Sequence, residues 1–576
     1  MKASIAALDS EDDGQGNPLL FVLVDEKSQT WSRERHVMLE KIAQRAADRG
    51  ELEIWCTNLE YDLLNLFGVE RIAELQLIFG KSYLIAAKWR GHKVRFKDTV
   101  RHLPIGVEAL GELLGLKKRE ARLFDGGQVT FEKLKRRCIR DTAITRRAAL
   151  KLHELYGELG AEPKLTLASS AYHVWAAKYW KREVRRPLYE HWLAAFEAYF
   201  GGRTEPFAIG EFEGVQACDA SSMFPWAMTT RPMPLPWGRF RRVGAGSESI
   251  DPEGFYRVSV RADGGPVTTL PVLPYRSQDG LVFPTGRWQG WYAGCELLRH
   301  VELGGQVRVL EGFEFLERVR PFDGYIKAMF ERKKRSTGAR RLFYKLMLNA
   351  LYGKFGQRGE RVIAMPLGRF SRLKSQPANF RVWAGMAMFS VKGTPPPWGN
   401  MVWSAITTAR SRVRLHQELT QLIENGARPL YCDTDGVLYL GGKTHPIKAA
   451  APGEFEFRGT YRCAIIKAKK EYALQDSKGL WSFYAKGVPL TERETYLKTG
   501  EAEFRRPVKL RESARSGDAP NVWRAVRKTR HVTFDHRGRR ADGSLAPVQV
   551  DERSNQRSRS ENNGQRAARR KHQALG

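Results

Sequence analysis

Two carboxylates set two residues apart, with apolar residues on both sides, constrain this chain more than any other feature. The stretch is Tyr431-Cys432-Asp433-Thr434-Asp435-Gly436, and Val437 to Leu440 follows it. On a strand, residues i and i+2 point to the same face, so Asp433 and Asp435 stand side by side. Carboxylates held that close repel unless a cation lies between them. Oxygen ligands of this kind suit Mg²⁺. Asp and Gly also favour plain turns, so the pair alone leaves a surface hairpin open.

A third acid, Asp219, ends the apolar run of Val215-Gln216-Ala217-Cys218-Asp219-Ala220-Ser221-Ser222-Met223-Phe224-Pro225. Between the two acidic segments lies Arg341-Leu342-Phe343-Tyr344-Lys345-Leu346-Met347-Leu348-Asn349-Ala350-Leu351-Tyr352-Gly353. On a helix, Arg341, Lys345, Asn349 and Tyr352 share one face. Phe343, Leu346, Met347 and Ala350 share the other. Such a helix can present cations to a triphosphate and a ring to a base; an ordinary amphipathic helix has the same pattern.

The N-terminal third alternates strands and helices. Residues 3–8 and 19–24 read as strands around a turn, in which Asp12 and Asp13 are solvated. A strand over 52–56, a helix from Tyr61 to Phe67, a strand over 92–98, a helix from Gly106 to Leu116 and a basic helix over 128–155 follow. The pattern suggests an α/β domain ending near residue 165. Its acids are Asp9 and Glu11, again at i and i+2, then Asp62 opening a helix and Asp141 within one. Residues 166–200 are helical, with aromatics reading as a core stripe. Further strands are expected near 214–218, 254–260, 306–311, 428–432 and 436–440, and helices over 322–334, 338–352 and 402–424. The stretch 358–400, rich in Gly, Pro and basic residues, reads as an insertion. The stretch 551–576 holds seven basic and three acidic residues and reads as a disordered basic tail. No internal repeat is evident.

Lys and Arg exceed Asp and Glu by 96 to 64, a net charge of +32. That calls for a polyanionic partner, nucleic acid first. A membrane surface is the rival, but no apolar run approaches the roughly 18–20 residues that span a bilayer. Asp9, Glu11, Asp12 and Asp13 do not fit a secretory signal. The six cysteines are scattered without a CxxC pair, which argues against structural zinc or a disulfide framework and for a reducing compartment.

Taken together, DASSMFP at 219–225, KLMLNALYG at 345–353 and YCDTDG at 431–436 resemble the A, B and C motifs of family B DNA polymerases. Three matches in order make the resemblance specific, and it covers nearly the whole chain. Tyr199-Phe200-Gly201-Gly202-Arg203 resembles the YxGG motif that touches the template strand. Lys470-Glu471-Tyr472 resembles the KxY motif that holds the primer terminus. Arg332 and Lys333 resemble the basic pair that grips the triphosphate. Asp9-Ser10-Glu11, Asn58-Leu59-Glu60-Tyr61-Asp62 and Arg137-Cys138-Ile139-Arg140-Asp141 resemble the three exonuclease motifs. Asp98, with Leu103-Pro104 after it, resembles a further segment of that domain.

The resemblance implies an α/β and α+β multidomain fold: an RNase H-like 3′–5′ exonuclease domain, then a right-hand polymerase. The expected exonuclease domain is 1–165 and the polymerase 166–550. Within the latter the palm covers about 166–234 and 401–485, the fingers about 321–357 and the thumb about 486–550. Insertions cover about 235–320 and 358–400. Two Mg²⁺ ions per site are implied, with Mn²⁺ as an alternative: on Asp219, Asp435 and the auxiliary Asp433 in one site, and on Asp9, Glu11, Asp62 and Asp141 in the other. Arg332, Lys333, Lys345, Asn349, Tyr352 and Phe224 would bind the nucleotide. Tyr199, Gly201, Gly202, Arg203, Lys470, Tyr472, Asn58 and Tyr61 would contact DNA.

Departures are Phe224 for Tyr, Ala350 and Gly436 for Ser, and Arg137 for the tyrosine that orients the attacking water. The early first exonuclease motif, the short chain and the two insertions resemble the protein-primed subgroup of phages and linear plasmids. Expected partners are primer–template DNA, dNTPs and a terminal priming protein, around a monomeric enzyme in the cytoplasm. The alternatives are a short family B enzyme using nucleic-acid primers or none, a nuclease, or a non-catalytic DNA-binding replication factor.

Overall fold

The computed structural model describes residues 4–13, 15–80, 84–116, 130–277, 280–393, 395–442, 445–447, 449, 451–509, 512, 523–530 and 542–550. The basic tail expected over 551–576 lies outside them. The chain divides into two compact units, 1–182 with 324–396 and 504–526, and 183–323 with 397–503 and 527–576.

The first unit is built on a seven-stranded sheet: β1 (Ser4–Asp12), β2 (Pro18–Val24), β3 (Gln29–Ser32), β4 (Leu52–Cys56), β5 (Leu75–Phe79), β6 (Leu84–Trp89) and β7 (Val94–Asp98). Its order is β3-β2-β1-β4-β7-β6-β5. The central β1, β4 and β7 are parallel. All five residues of β4 are buried, as a strand with both faces covered requires. On one face α1 (Arg35–Arg49) and α2 (Leu59–Arg71) bury Met38, Ile42, Leu59, Leu63 and Phe67 against Ala6, Leu8, Leu52 and Ile54. On the other, Leu134 and Cys138 of α4 (Phe131–Glu158) pack on Leu20 and Val22. A shorter α3 (Val107–Leu113) precedes α4.

Residues 358–400, read as an insertion, form a three-stranded sheet of Glu360–Pro366, Met386–Lys392 and Arg381–Trp383. Its Ala364, Met386 and Met388 join the core beneath the large sheet. The helices Asp323–Lys334 and Gly338–Phe355 form a hairpin, tied where the Tyr325 hydroxyl donates to the Met347 carbonyl at 2.9 Å. The buried face of the second helix carries Phe343, Tyr344, Met347, Leu348 and Leu351. Leu346 and Ala350, expected on that face, are only half-buried. Asp12, expected in solvent, is also buried, whereas Asp13 is exposed and accepts hydrogen bonds from the Gln15 and Asn17 amides.

The second unit has its own antiparallel seven-stranded sheet. Its order is Trp481–Ala485, Glu471–Gln475, Phe455–Ala468, β9 (Gly210–Ala220), Gly436–Leu440, Arg428–Asp433 and β8 (Thr204–Pro206). The helix Met401–Glu424 lies on it. A five-stranded sheet of Phe240–Val243, Gln306–Phe315, Phe255–Ala262, Thr285–Ala293 and Gln549–Val550 closes around Tyr256, Val258, Trp288 and Tyr292. The helical reading of 166–200 resolves into two helices, Leu167–Lys178 and Tyr189–Glu197, with Pro187 between them. Pro lacks the N–H that a continuous helix would need there.

A buried charge cluster stiffens the first unit. On β4, Glu53 accepts from Lys97 of β7 at 2.5 Å, from His153 of α4 at 2.9 Å and from the Trp55 indole at 2.7 Å. Burial opposes ionisation, but the His153 hydrogen bond and the Lys97 charge outweigh it and hold the carboxyl at about 2. Breaking a buried pair from one side strands the other charge and costs about 3–5 kcal/mol. Glu53→Gln should lower unfolding stability at neutral pH by that order, read by urea denaturation. The folded value lies below the ordinary 4.5, so the stabilisation is full above that pH and fades as pH falls toward 2. The gap between wild type and Glu53→Gln should therefore shrink in acid.

Candidate active sites

In the first unit the carboxylates gather at the C-terminal ends of the parallel strands. Asp9 and Glu11 project from β1 on its α4 side, and Asp141 comes from α4 itself. Oxygens of these three carboxylates all lie within 4.8 Å of one another. Asp62 is not part of that triple. It is buried on α2, where its Oδ1 accepts from the Ser10 amide at 3.0 Å and the Ser10 hydroxyl at 2.8 Å. Its Oδ2 is buried and accepts no hydrogen bond. Burial, then the charges of Glu11 and Asp141, push the Asp9 carboxyl well above the usual range. Burial, then Asp9, does the same to Asp62. An all-oxygen donor set with a buried unbonded oxygen and mutual repulsion is the chemistry that a hard divalent cation relieves.

Arg137 lies one turn before Asp141 on α4. Its Nε is 3.6 Å from Glu11 and 3.7 Å from Asp141. The residue standing in for a tyrosine is therefore a cation among the acids. Asn58, exposed at the end of β4, adopts φ 85° and its amide donates to Asp98 at 3.3 Å. Tyr61 is half-buried, its phenol raised by burial and then by Asp12.

In the second unit three strands meet in register. Asp219 on β9 pairs with Gly436 on one side and Glu456 on the other. The Ala220 amide donates to the Asp435 carbonyl at 2.7 Å, which locks the acidic hairpin onto β9. Asp219 accepts from Arg458 at 2.7 Å, and Arg458 also reaches Glu456 at 2.9 Å. Asp433 is differently placed. Lys470 holds both its oxygens, at 3.1 and 2.9 Å, and the Thr204 hydroxyl donates to it at 2.9 Å. So engaged, Asp433 has less to offer a cation than Asp219 has. Among the described residues these acids do not form a second triple as tight as that of Asp9, Glu11 and Asp141. Phe224 is half-buried in the first turn of the helix Met223–Thr229.

The Tyr199–Arg203 segment packs directly on the acidic turn. The Thr434 amide donates to the Arg203 carbonyl at 2.7 Å. A Cβ on Gly202 would lie 2.8 Å from the Thr434 side chain, so only glycine permits the approach. Arg412 donates to the Phe200 and Gly201 carbonyls at 2.7 and 2.9 Å, and Arg276 to those of Glu197 and Tyr199 at 2.8 Å each. Arg203 itself corrects an expectation. Its guanidinium is 2% exposed, paired with Glu205 and donating to the Pro271 carbonyl at 2.8 Å, so its side chain is spent inside the protein. Tyr199 is half-buried and Gly201 exposed. Tyr472 stacks on Tyr484, with ring centroids 4.5 Å apart, next to Tyr431.

Arg332, Lys333, Lys345, Asn349 and Tyr352 all belong to the helical hairpin of the first unit. Lys345 is exposed and the other four are half-buried. Arg332 donates to the Tyr344 hydroxyl at 3.4 Å.

Sequence reading missed Glu456 and Arg458. The alternation Glu454-Phe455-Glu456-Phe457-Arg458 marks a strand with one polar face, but only the pairing with β9 sets that face beside Asp219. It also missed a backbone signature. Among the described residues five non-glycine residues have positive φ, and four of them, Asn58, Ser222, Thr434 and Lys470, lie in the motif segments. Such conformations cost on the order of 1–3 kcal/mol each and cluster where geometry serves function.

Comparison with known proteins finds DNA polymerases. A model of the family described as "DNA polymerase type B, organellar and viral" matches residues 116–365. The chain is 30% identical over 275 residues to a "Probable DNA polymerase" of Neurospora intermedia, covering 42% of this chain and 26% of that one. It is 25% identical over 438 residues to the "DNA-directed DNA polymerase" of Enterobacteria phage PRD1, covering 69% of this chain and 70% of that one. The chain thus spans about a quarter of the fungal relative's length (26%) and more of the phage one's. The solved structure of Phi29 DNA polymerase complexed with primer-template DNA superimposes with a TM-score of 0.72, covering 92% of this chain and all of that one at 16% identity. At that identity the likeness is one of fold. By matched family model, motif order and fold, the chain is similar to the type B DNA polymerases of organelles and viruses.

Proposed function

We propose that this protein is a DNA-directed DNA polymerase that extends a 3′-OH with dNTPs and trims mispaired 3′ ends in a separate exonuclease site. The observation that carries the reading is the acidic hairpin 431–436 locked onto the strand end that bears Asp219. Asp219 and Asp435 would hold two Mg²⁺ ions, with Asp433 auxiliary; Asp9, Glu11, Asp62 and Asp141 would hold those of the exonuclease. The ions activate the attacking oxygen and neutralise the leaving one. The residues do the rest by positioning and charge. Lys345, Arg332 and Lys333 would bind the triphosphate, and Asn349 and Tyr352 would shape the pocket of the nascent pair. The Phe224 ring would fill the space of a ribose 2′-OH. Lys470 and Tyr472 would hold the primer end, Tyr199 and the glycines the template, and Asn58 and Tyr61 the frayed 3′ end.

The domain roles follow: exonuclease over 1–165, palm near 166–234 and 401–485, fingers near 321–357 and thumb near 486–550. The segments 235–320 and 358–400, which fold largely as sheets, would serve a protein primer in replicating a phage or mobile-element genome. A terminal priming protein would then be the partner of a monomeric enzyme in the cytoplasm. Among the described residues no helix is long and apolar enough to cross a membrane.

A 5′-labelled primer–template with Mg²⁺ tests the reading. It should lengthen with dNTPs and shorten without them. Asp435→Ala should abolish lengthening and spare shortening, and Asp62→Ala the reverse; loss of both activities in either variant would sink the two-site assignment. Gly202→Ala should slow extension by roughly 10²-fold, because displacing Thr434 shifts the catalytic turn. Its trimming rate should stay at the wild-type value. Arg137→Tyr should speed trimming several-fold, since it removes a competing cation and restores a hydroxyl near the acids; an unchanged single-turnover rate would mean that Arg137 does not limit the site.

A further inference from the structure

The exonuclease sheet carries a second charged feature, at the opposite end from its acids. A cavity of about 570 Å³ opens there, lined by Arg49, Lys88, Arg90, His92, Lys93 and Arg95. Glu51 is the one carboxylate in its lining. The partners are unevenly shared. Arg95 pairs with Glu51, and Arg49 pairs with Asp25 at 3.3 Å. Lys88, Arg90 and Lys93 have no carboxylate within ion-pair distance among the described residues. Arg90 also keeps a buried Nε without an acceptor. A buried donor left unbonded is costly, and an anion's oxygen would satisfy it.

The cations sit on a fixed turn. Arg90 to Lys93 join β6 to β7, and the Arg90 amide donates to the Glu74 carbonyl at 2.9 Å. The Trp89 indole donates to Glu74 at 2.9 Å, and the His92 ring lies 4.0 Å from that of Trp89. The Leu52 amide donates to the Lys93 carbonyl at 2.9 Å. An anion docking here would freeze little further backbone freedom. Position separates this place from the catalytic acids. Leu52 pairs with Val94 at the cavity end and Cys56 with Asp98 at the other, four residues on. At roughly 3.3 Å per residue the two ends lie about 13 Å apart.

The ligand chemistry follows from the donors. A guanidinium fork and two ammonium groups without an acidic partner suit phosphate oxygens. Trp89 is buried, so it offers no open ring for a base and recognition would fall on the backbone. We propose that this cavity is a second nucleic-acid contact that takes the phosphates of single-stranded DNA, independently of sequence and apart from the trimming acids. The function proposed above enters only in choosing DNA as the polyanion.

The test is the salt dependence of binding of the full chain to a labelled oligothymidylate in EDTA, followed by fluorescence anisotropy. Each phosphate contact contributes roughly 0.7 to the log–log slope, so Lys88→Gln/Arg90→Gln/Lys93→Gln should flatten it by about 2. Lys88→Gln/Lys93→Gln changes exposed side chains only and should flatten it by about 1.4. It keeps the test sound if the triple variant misfolds. Unchanged slopes in both folded variants would overturn the proposal. So would a DNA slope that stays put while binding of a poly-glutamate peptide is lost, which would assign the cavity to an acidic protein surface. Failed primer extension alongside a flattened slope would remove the polymerase reading and leave the cavity assignment standing.

Discussion

Like charges must be brought together here, and most of the local structure can be understood as the means of doing so. Two carboxylates about 4 Å apart repel by roughly 4 kcal/mol at an effective dielectric of 20. Each unit meets that cost with strands that end at the acids and with cations brought in from neighbouring elements. Asp219 faces Arg458, Asp433 faces Lys470, and Glu11 and Asp141 face Arg137. The strained backbone belongs to the same solution. Thr434, with φ 64°, turns the chain so that the Asp435 carbonyl meets β9 while its own amide meets Arg203. A relaxed turn would not offer both bonds.

Much of this was legible in the sequence because it is local. The i, i+2 spacing of Asp9 and Glu11 follows from strand geometry, and the hairpin of helices 323–334 and 338–355 from periodicity, whereas Asp433 ends its strand and Asp435 lies in the turn made by Thr434, so strand alternation does not describe that pair. What was illegible depends on pairing between distant segments. Glu456 lies more than 200 positions from Asp219 and meets it only through sheet register. Arg203 read as a DNA contact because Tyr199–Arg203 resembles the YxGG motif that touches the template strand. Burial against Glu205, Pro271 and the Phe283 ring, 4.3 Å away, decides otherwise. Residues 358–400 read as an insertion because Gly, Pro and Arg dilute their pattern. The core positions Ala364, Met386 and Met388 are too few to show a period.

The second unit buries several charges. Along the helix Met401–Glu424, Arg410 pairs with Glu253 at 2.9 Å and Arg412 with Glu296 at 2.8 Å, all four buried, and the His416 Nε2–H donates to the Leu270 carbonyl at 2.9 Å. Desolvating such pairs is expensive, and apolar residues of similar volume often do as well. What apolar residues could not do is aim hydrogen bonds. Arg410 reaches the Ala227, Arg231 and Pro232 carbonyls, and Arg412 those of Phe200 and Gly201. These arginines fix irregular backbone that no sheet ladder supports, on either side of the acidic strand end.

That arrangement has an evolutionary reading. Arg412 and Glu296 come from segments 116 residues apart, one in the helix Met401–Glu424 and one in the segment between Asp219 and the helical hairpin. Neither can change alone without stranding a charge in the core. In lineages where the intervening segment is remodelled to meet a new partner, the two positions should turn over as a pair or stay as they are. The helix Met401–Glu424 thus exerts a veto on how far the segment that carries Glu296 can drift.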